Sequence, residues 1–407
     1  MNPFHPITLR LSFLYVGFLG LFFLGGAPLA PLCAQTTPTP SLTPEAAPAK
    51  PAWGSVDLGA QYVGWDSNAV PGGSEYLVPL TLSVFPWKDA RIYGQTEFAS
   101  GNYTGAESGY GTDNLSNLTD SVIGFETGFQ SFSLPSLVNI GINLPTGDPT
   151  WETKQTGSII PTEFIDSDYR GRGFGLSFLY GLSFQSGSEQ YGIAAGYLYS
   201  GAFNPSYGEG VPAENLKLGD STFLSVNHVS DLGEGQSNII RLSAFYFLPT
   251  QLNNSNLLQM GPNVNASFAW NNPKAFSFEA GGQYFLPTQN VNPSTGELSL
   301  EPNNSLAPRF YFYPSYAIGD LTIAARAKYV LANGYPTTDL VNYDGGGWVL
   351  GLGPTLKLKL DSSSSLRISA GYDYVVWSNV PTNIASLGRV NLDYDHWTFG
   401  THYEVSL

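Results

Sequence analysis

The chain has 407 residues, of which 12% are charged and 14% aromatic, with 46 glycines, a single cysteine and a formal net charge of −15. An acidic, charge-poor chain offers no basic footprint for nucleic acid, and one cysteine builds neither a disulfide nor a cysteine-ligated metal site. A water-soluble domain would normally carry about twice this share of charge, so the composition suits a chain that meets apolar surroundings over much of its surface.

In chain order, His5 and Arg10 precede an apolar run from Leu11 to Leu24, and small residues with prolines lead into Leu32-Cys33-Ala34-Gln35. This order predicts a secretory signal peptide over 1–34, cut after Ala34. Gly17, Gly20, Gly25 and Gly26 favour a removable signal over a membrane anchor, and Leu32 directly before Cys33 disfavours lipidation of that cysteine. The next stretch, 35–52 (QTTPTPSLTPEAAPAKPA), is a Pro/Ala/Thr-rich linker with nothing to bury, expected to extend into the periplasm.

From Trp53 to the end, residues 53–407, one pattern repeats: segments of about ten residues alternate apolar with polar or small side chains, the period of a strand with two unlike faces. Tyr76, Val78, Leu80, Leu82 and Val84 share one face against Thr81 and Ser83, and Leu321, Ile323, Ala325, Ala327 and Tyr329 oppose Thr322, Ala324, Arg326 and Lys328. The expected strands lie near 54–65, 75–86, 90–100, 120–132, 136–145, 171–185, 189–201, 220–230, 238–249, 259–271, 275–287, 306–318, 320–332, 346–360, 365–377 and 394–406. Their connections alternate short and long, as in an outer-membrane barrel with an even strand number, short periplasmic turns and longer external loops. The expected fold is therefore all-β: a transmembrane antiparallel up-and-down β-barrel of about 16 strands (within roughly 14–18), both termini on the periplasmic side. A soluble two-sheet sandwich would also alternate, but its outward positions would be polar. Here the apolar face is the one that repeats, with Tyr62, Phe98, Phe129, Tyr197, Trp270, Tyr284, Phe312, Trp348, Tyr374 and Trp397 near its ends, as interface girdles require.

The last segment, with Thr398, Gly400, Tyr403 and Val405, resembles the C-terminal signal of outer-membrane barrels, although the chain ends in Leu407 where that signal usually has an aromatic residue. The resemblance implies recognition by the barrel-assembly machinery through the C-terminal strand. The strand number and the long loop after the fifth strand look like the general bacterial porins, in which this third external loop folds into the pore and which associate as homotrimers. Asn143-Leu-Pro-Thr-Gly-Asp148, at a strand end, looks like a segment of the barrels that take up aromatic compounds and other hydrophobic solutes.

Charge on a lipid face near the midplane costs about 2–4 kcal/mol, so charged strand residues are assigned inward. Arg91, Glu126, Arg172, Arg241, Arg326, Lys328, Lys357 and Asp373 are the candidate pore-lining residues. Asp148, Glu152, Glu163, Asp166 and Asp168 make loop 146–170 the candidate constriction. Acidic loop and basic wall would set a transverse field across the pore. Inward apolar candidates number only a few: Leu179, Leu198, Val330 and Trp377. No Ser-centred elbow or metal-binding histidine pair occurs, so no catalytic, cofactor or metal residues are assigned, and the chain is not expected to be an enzyme. The expected role is passive diffusion of small hydrophilic solutes across the outer membrane, in contact with its lipid. The alternatives are a substrate-specific uptake barrel for hydrophobic or aromatic compounds, or a structural surface barrel.

Overall fold

The computed structural model describes residues 53–68, 72–103, 113–149, 171, 173–204, 215–286, 289–291, 298–300, 308–331, 333–336, 341–344, 346–381 and 389–407. The expected signal peptide and linker lie outside these residues, as do Glu152, Glu163, Asp166, Asp168 and Arg172.

One antiparallel sheet of 17 strands closes on itself. Its members are β1 (Gly54–Ser67), β2 (Gly73–Trp87), β3 (Ala90–Tyr103), β4 in two lengths (Asp113–Leu118 and Ser121–Ser131), β5 (Leu134–Leu144), β6 (Gly175–Ser186), β7 (Glu189–Ser200) and β8 (Ser221–Gly233). They continue with β9 (Gln236–Phe247), β10 (Asn263–Asn271), β11 (Phe276–Phe285), β12 (Arg309–Ile318), β13 (Leu321–Val330), β14 (Gly347–Lys359), β15 (Ser364–Pro381) and β16 (Arg389–Ser406). Both lengths of β4 pair with β3, so the 17 strands form a barrel of 16 staves, one for each expected strand. Closure is made by β1, which pairs with β2 and also with β16 from Ser55↔Ser406 to Ser67↔Tyr394. A closed barrel leaves no unpaired edge, which is what lets a sheet sit in hydrocarbon.

The alternation read in the sequence is the alternation of faces. Outward positions are apolar and exposed: Tyr76, Leu224, Phe310, Leu350 and Phe399 all face away from the interior. Aromatic pairs stand in the outer wall toward both ends of the staves. Tyr62–Tyr76 (4.8 Å between centroids) and Trp348–Tyr374 (5.6 Å) lie toward the long loops, and Trp87–Phe125 (6.1 Å) and Phe184–Tyr191 (4.8 Å) toward the short turns. Such rings suit the polar–apolar boundaries of a bilayer. Trp53 and Leu407 meet at the short-turn end, where the Trp53 amide donates to the Leu407 carbonyl at 2.9 Å.

The long connections hold more order than the pattern predicts. Ala202–Phe203, Leu216–Lys217, Thr250–Leu252, Ser255–Gln259, Gln289–Val291 and Leu298–Leu300 form a second, six-stranded sheet beyond the ends of β7–β12. Asn333–Pro336 and Val341–Asp344 form a further hairpin beyond β13 and β14. The tip between Thr250–Leu252 and Ser255–Gln259 is Asn253-Asn254, with φ of 50° and 65°. A two-residue hairpin turn asks for this conformation at both central positions, and asparagine tolerates it.

Candidate functional site

The candidate site is the barrel interior, built by every second residue of each stave. Arg91, Glu126, Arg241, Arg326, Lys328, Lys357 and Asp373 all fall on the inward parity of their strands, as expected, opposite in phase to exposed outward neighbours such as Ile92, Leu242, Tyr329 and Tyr372. Asp148 stands at the root of its loop; the other four residues of the candidate constriction, and Arg172, lie outside the described residues.

The inward charges pair along the wall. Arg91 donates from Nε to Ser83 Oγ at 2.9 Å and lies over the Tyr93 ring, 4.8 Å from its centroid. One strand further, Asn139 Nδ2 reaches Glu126 Oε2 at 3.5 Å. Arg241 Nη1 is 3.5 Å from Glu279 Oε1, the same oxygen that accepts from the Tyr311 hydroxyl at 3.1 Å. Near the short turns, His402 Nε2 is 3.0 Å from Asp57 Oδ2. Beside that pair, Lys357 and Lys359 on β14 and Glu404 on β16 are exposed within the interior, and Arg367 on β15 stands directly opposite Lys357. Inward Gln95 on β3 is exposed as well. On β14–β16 the turn-ward interior is a charged vestibule open to water, whereas inward Tyr93, Leu137, Asn139 and Ile239, toward the short turns of β3, β5 and β9, are buried.

The loop-ward half differs. In β1, β2, β3 and β13–β16 its inward residues include Val63, Trp65, Leu77, Ala99, Val330, Val349, Val375, Leu392 and Tyr394, all buried, beside part-exposed Lys328 and Trp377. Val375, Leu392 and Tyr394 are 0% exposed, which no side chain facing a wide aqueous bore would be. Glu75, also 0% exposed, belongs to the same face.

At the seam between the two halves lies one row of register partners: Arg326, Gly351, Asp373, His396 and Trp65 on β13, β14, β15, β16 and β1. Asp373 Oδ2 accepts from Arg326 Nη2 at 2.7 Å and from His396 Nδ1 at 2.9 Å. Arg326 and Asp373 are two strands apart and meet because the position between them is glycine. A Cβ at Gly351 would sit 1.6 Å from Asp373 Oδ1. The carboxylate and imidazole have 3% and 5% side-chain exposure, so their charge balance is set by one another and by Arg326.

The neck of loop 146–170 is clasped by polar side chains. Asp120 accepts from the Gly147 amide at 3.0 Å and from Asn143 Nδ2 at 2.9 Å, and Asn143 Nδ2 also reaches the Gly173 carbonyl at 2.5 Å. Thr146 Oγ1 donates to the Thr119 carbonyl at 2.7 Å and shares a 2.8 Å contact with Ser121 Oγ. On the far side of the loop, Gly171 takes φ of 100° and packs on the Asp148 backbone so tightly that a Cβ would stand 2.4 Å from its carbonyl oxygen. The Asn143–Asp148 segment singled out in the sequence is therefore the clasp of the loop's base.

Reasoning from the sequence did not name Glu75 or most of the apolar inner sector. The same parity would have found both: Val63 and Trp65 are in phase with Asp57, Val349 with Lys357, and Val375 with Asp373.

No family model matches this chain, and no curated protein matches it. Solved structures that resemble it are outer-membrane channels. OprB of Pseudomonas putida is 10% identical with a TM-score of 0.48, over 86% of this chain and 93% of that one. OpdK of Pseudomonas aeruginosa, solved with vanillate, is 10% identical with a TM-score of 0.46, over 87% and 98%. An outer membrane channel from Pseudomonas putida F1 is 9% identical with a TM-score of 0.39, over 89% and 98%. At these scores the likeness is one of barrel shape and carries no argument about solute.

Proposed function

We propose that this protein is an outer-membrane channel, not an enzyme, and that it passes small hydrophilic solutes by diffusion through the barrel, with loop 146–170 narrowing the lumen. One observation carries the reading: a closed ring of staves whose outer face is apolar with aromatic rings toward both ends, and whose inner face holds water-exposed Gln95, Lys357, Lys359 and Glu404. A barrel of about 16 strands is wide enough to leave an aqueous path unless it is filled. The C-terminal strand closes the barrel on β1 and is the segment through which the assembly machinery would act. The apolar loop-ward wall favours a second reading, an uptake barrel for solutes with a hydrophobic or aromatic body, because such a wall desolvates apolar surface at about 25 cal/mol per Å².

Planar-bilayer recording of the folded, inserted protein tests both. A steady open conductance, with a reversal potential set by a salt gradient, is the expected result for a diffusion channel. A silent barrel that nevertheless takes up aromatic solutes into liposomes would replace the first reading with the second. Folded, inserted protein that passes neither ions nor solute would sink both.

A further inference from the structure

The outer wall is apolar from stave to stave, but toward the short turns of β7 and β8 it is interrupted. Outward residues of β7 are Glu189, Tyr191, Ile193, Ala195 and Tyr197, and those of β8 are Thr222, Leu224, Val226, His228 and Ser230. Ile193, Tyr197, Leu224 and Val226 are all exposed, which fixes this face as the outside. Glu189 Oε2 is 2.5 Å from His228 Nε2 and accepts from Ser230 Oγ at 2.6 Å. The His228 ring is stacked on Tyr191 (4.6 Å, 21°), which is stacked in turn on Phe184 (4.8 Å, 12°). Between Thr222 and His228, β8 presents only Leu224 and Val226 to its surroundings, whereas β2 presents Tyr76, Val78, Leu80, Leu82 and Val84. The pair stands at the polar–apolar boundary that Phe184 and Tyr191 mark, where charge on the outer wall costs little.

We propose that this notch is a headgroup site for a phospholipid bearing a primary ammonium, of the phosphatidylethanolamine type. The inference rests on the outer-membrane reading above, since the site exists only if this wall meets lipid. The chemistry of the cluster selects the ligand. Glu189 Oε2 is taken by His228 and Ser230, and Oε1 has only Ser188 Oγ at 3.4 Å. A carboxylate oxygen left open on this wall calls for a ligand that supplies N–H groups. The surroundings are acidic as well: Asp231 and Glu234 follow in the adjoining turn, and among the described outward strand residues of β6–β9 there is no lysine or arginine. A primary ammonium can donate to Glu189 Oε1. A quaternary choline has no N–H to give, and a phosphatidylglycerol headgroup brings only further negative charge.

The test uses the full chain folded into phosphatidylcholine vesicles doped with a minor fraction of phosphatidylethanolamine or of phosphatidylglycerol, then released in mild detergent for native mass spectrometry. Phosphatidylethanolamine should be retained roughly tenfold or more over phosphatidylcholine, the equivalent of one charge-assisted hydrogen bond. Glu189→Gln should abolish that preference, and Glu404→Gln, on the inner face, should keep it. Equal retention of the three lipids by the unaltered chain, or preference for phosphatidylglycerol, overturns the proposal whether or not the variant folds. So does a Glu189→Gln protein that keeps its phosphatidylethanolamine, or one that changes only its oligomeric mass, which would make the notch a protein contact. A chain that inserts into none of these vesicles would instead refute the membrane reading itself.

Discussion

The turn-ward and loop-ward halves of the interior are made by the same staves with the same alternation, yet they are filled in opposite ways. On β14, Lys357 and Lys359 are exposed, while Val349, a few residues toward the loops on the same face, is 2% exposed. On β16, Glu404 is exposed and Leu392 and Tyr394 are fully buried. Alternation therefore decides which way a side chain points and says nothing about whether water meets it there. That second property depends on what occupies the bore at each level, and on β14–β16 it separates an exposed charged vestibule from a buried, largely apolar throat. The Arg326–Asp373–His396 row marks the line between them.

Removing Asp373 should break the contrast most sharply. Asp373→Ala leaves Arg326 and His396 partly buried without their shared acceptor, and deleting one member of a buried pair costs about 3–5 kcal/mol. Urea unfolding from vesicles should show a loss of this order, with Arg326's partial exposure keeping it toward the lower end. Next comes Leu392→Ala, expected to cost about 2–5 kcal/mol as a buried leucine does, against a change within about 0.5 kcal/mol for Gln95→Ala in the vestibule. Equal small effects at the two positions would mean that the throat is not packed.

The sequence made the strands, their number and their faces legible because a stave between lipid and lumen must alternate over its whole length. The strand parity of the charged residues was legible for the same reason. Two things were not. The short strands beyond β7–β12 are too brief for a period to show, although Asn253-Asn254 is a hairpin signal that reads on sight. The Asp373 cluster depends on Gly351, on the strand between those of Arg326 and Asp373, having no side chain, and no single-strand pattern contains that.

Smaller effects should sharpen the comparison without disturbing the fold. Asn143→Ala removes the contacts to Asp120 and Gly173, an expected local loss of about 1–2 kcal/mol at the neck of loop 146–170. Recordings should then show noisier current with an unchanged unfolding midpoint, and a quiet channel would mean that the neck does not steady the path. Lys357→Gln with Lys359→Gln changes two exposed side chains, so stability should stay within about 0.5 kcal/mol. The reversal potential should move toward cation preference, because the vestibule loses two positive charges facing its water. No movement would place the selective level in the throat.

The smallest expected effect lies outside the staves, in the turn joining β14 to β15. Asp361 Oδ1 accepts from the Ser363 amide at 2.7 Å, the Ser363 hydroxyl at 3.0 Å and the Ser364 amide at 2.8 Å. These bonds, those of Ser363 first and then Ser364, favour the ionised carboxylate and hold its pKa below the ordinary aspartate value. The sign follows from linkage. A folded-state pKa lower than the unfolded one contributes stability that is present above the unfolded value and disappears as pH falls through the folded value. The protection of the Ser363 and Ser364 amides, relative to their intrinsic exchange at each pH, should therefore fall on acidification through that window. Asp361→Ala should exchange faster at neutral pH and lose its difference from the parent once the parent's carboxyl is protonated. If the parent's exchange followed only the intrinsic pH dependence, the carboxylate would not be what holds this turn, and the hairpin's order would come from the β14–β15 ladder alone.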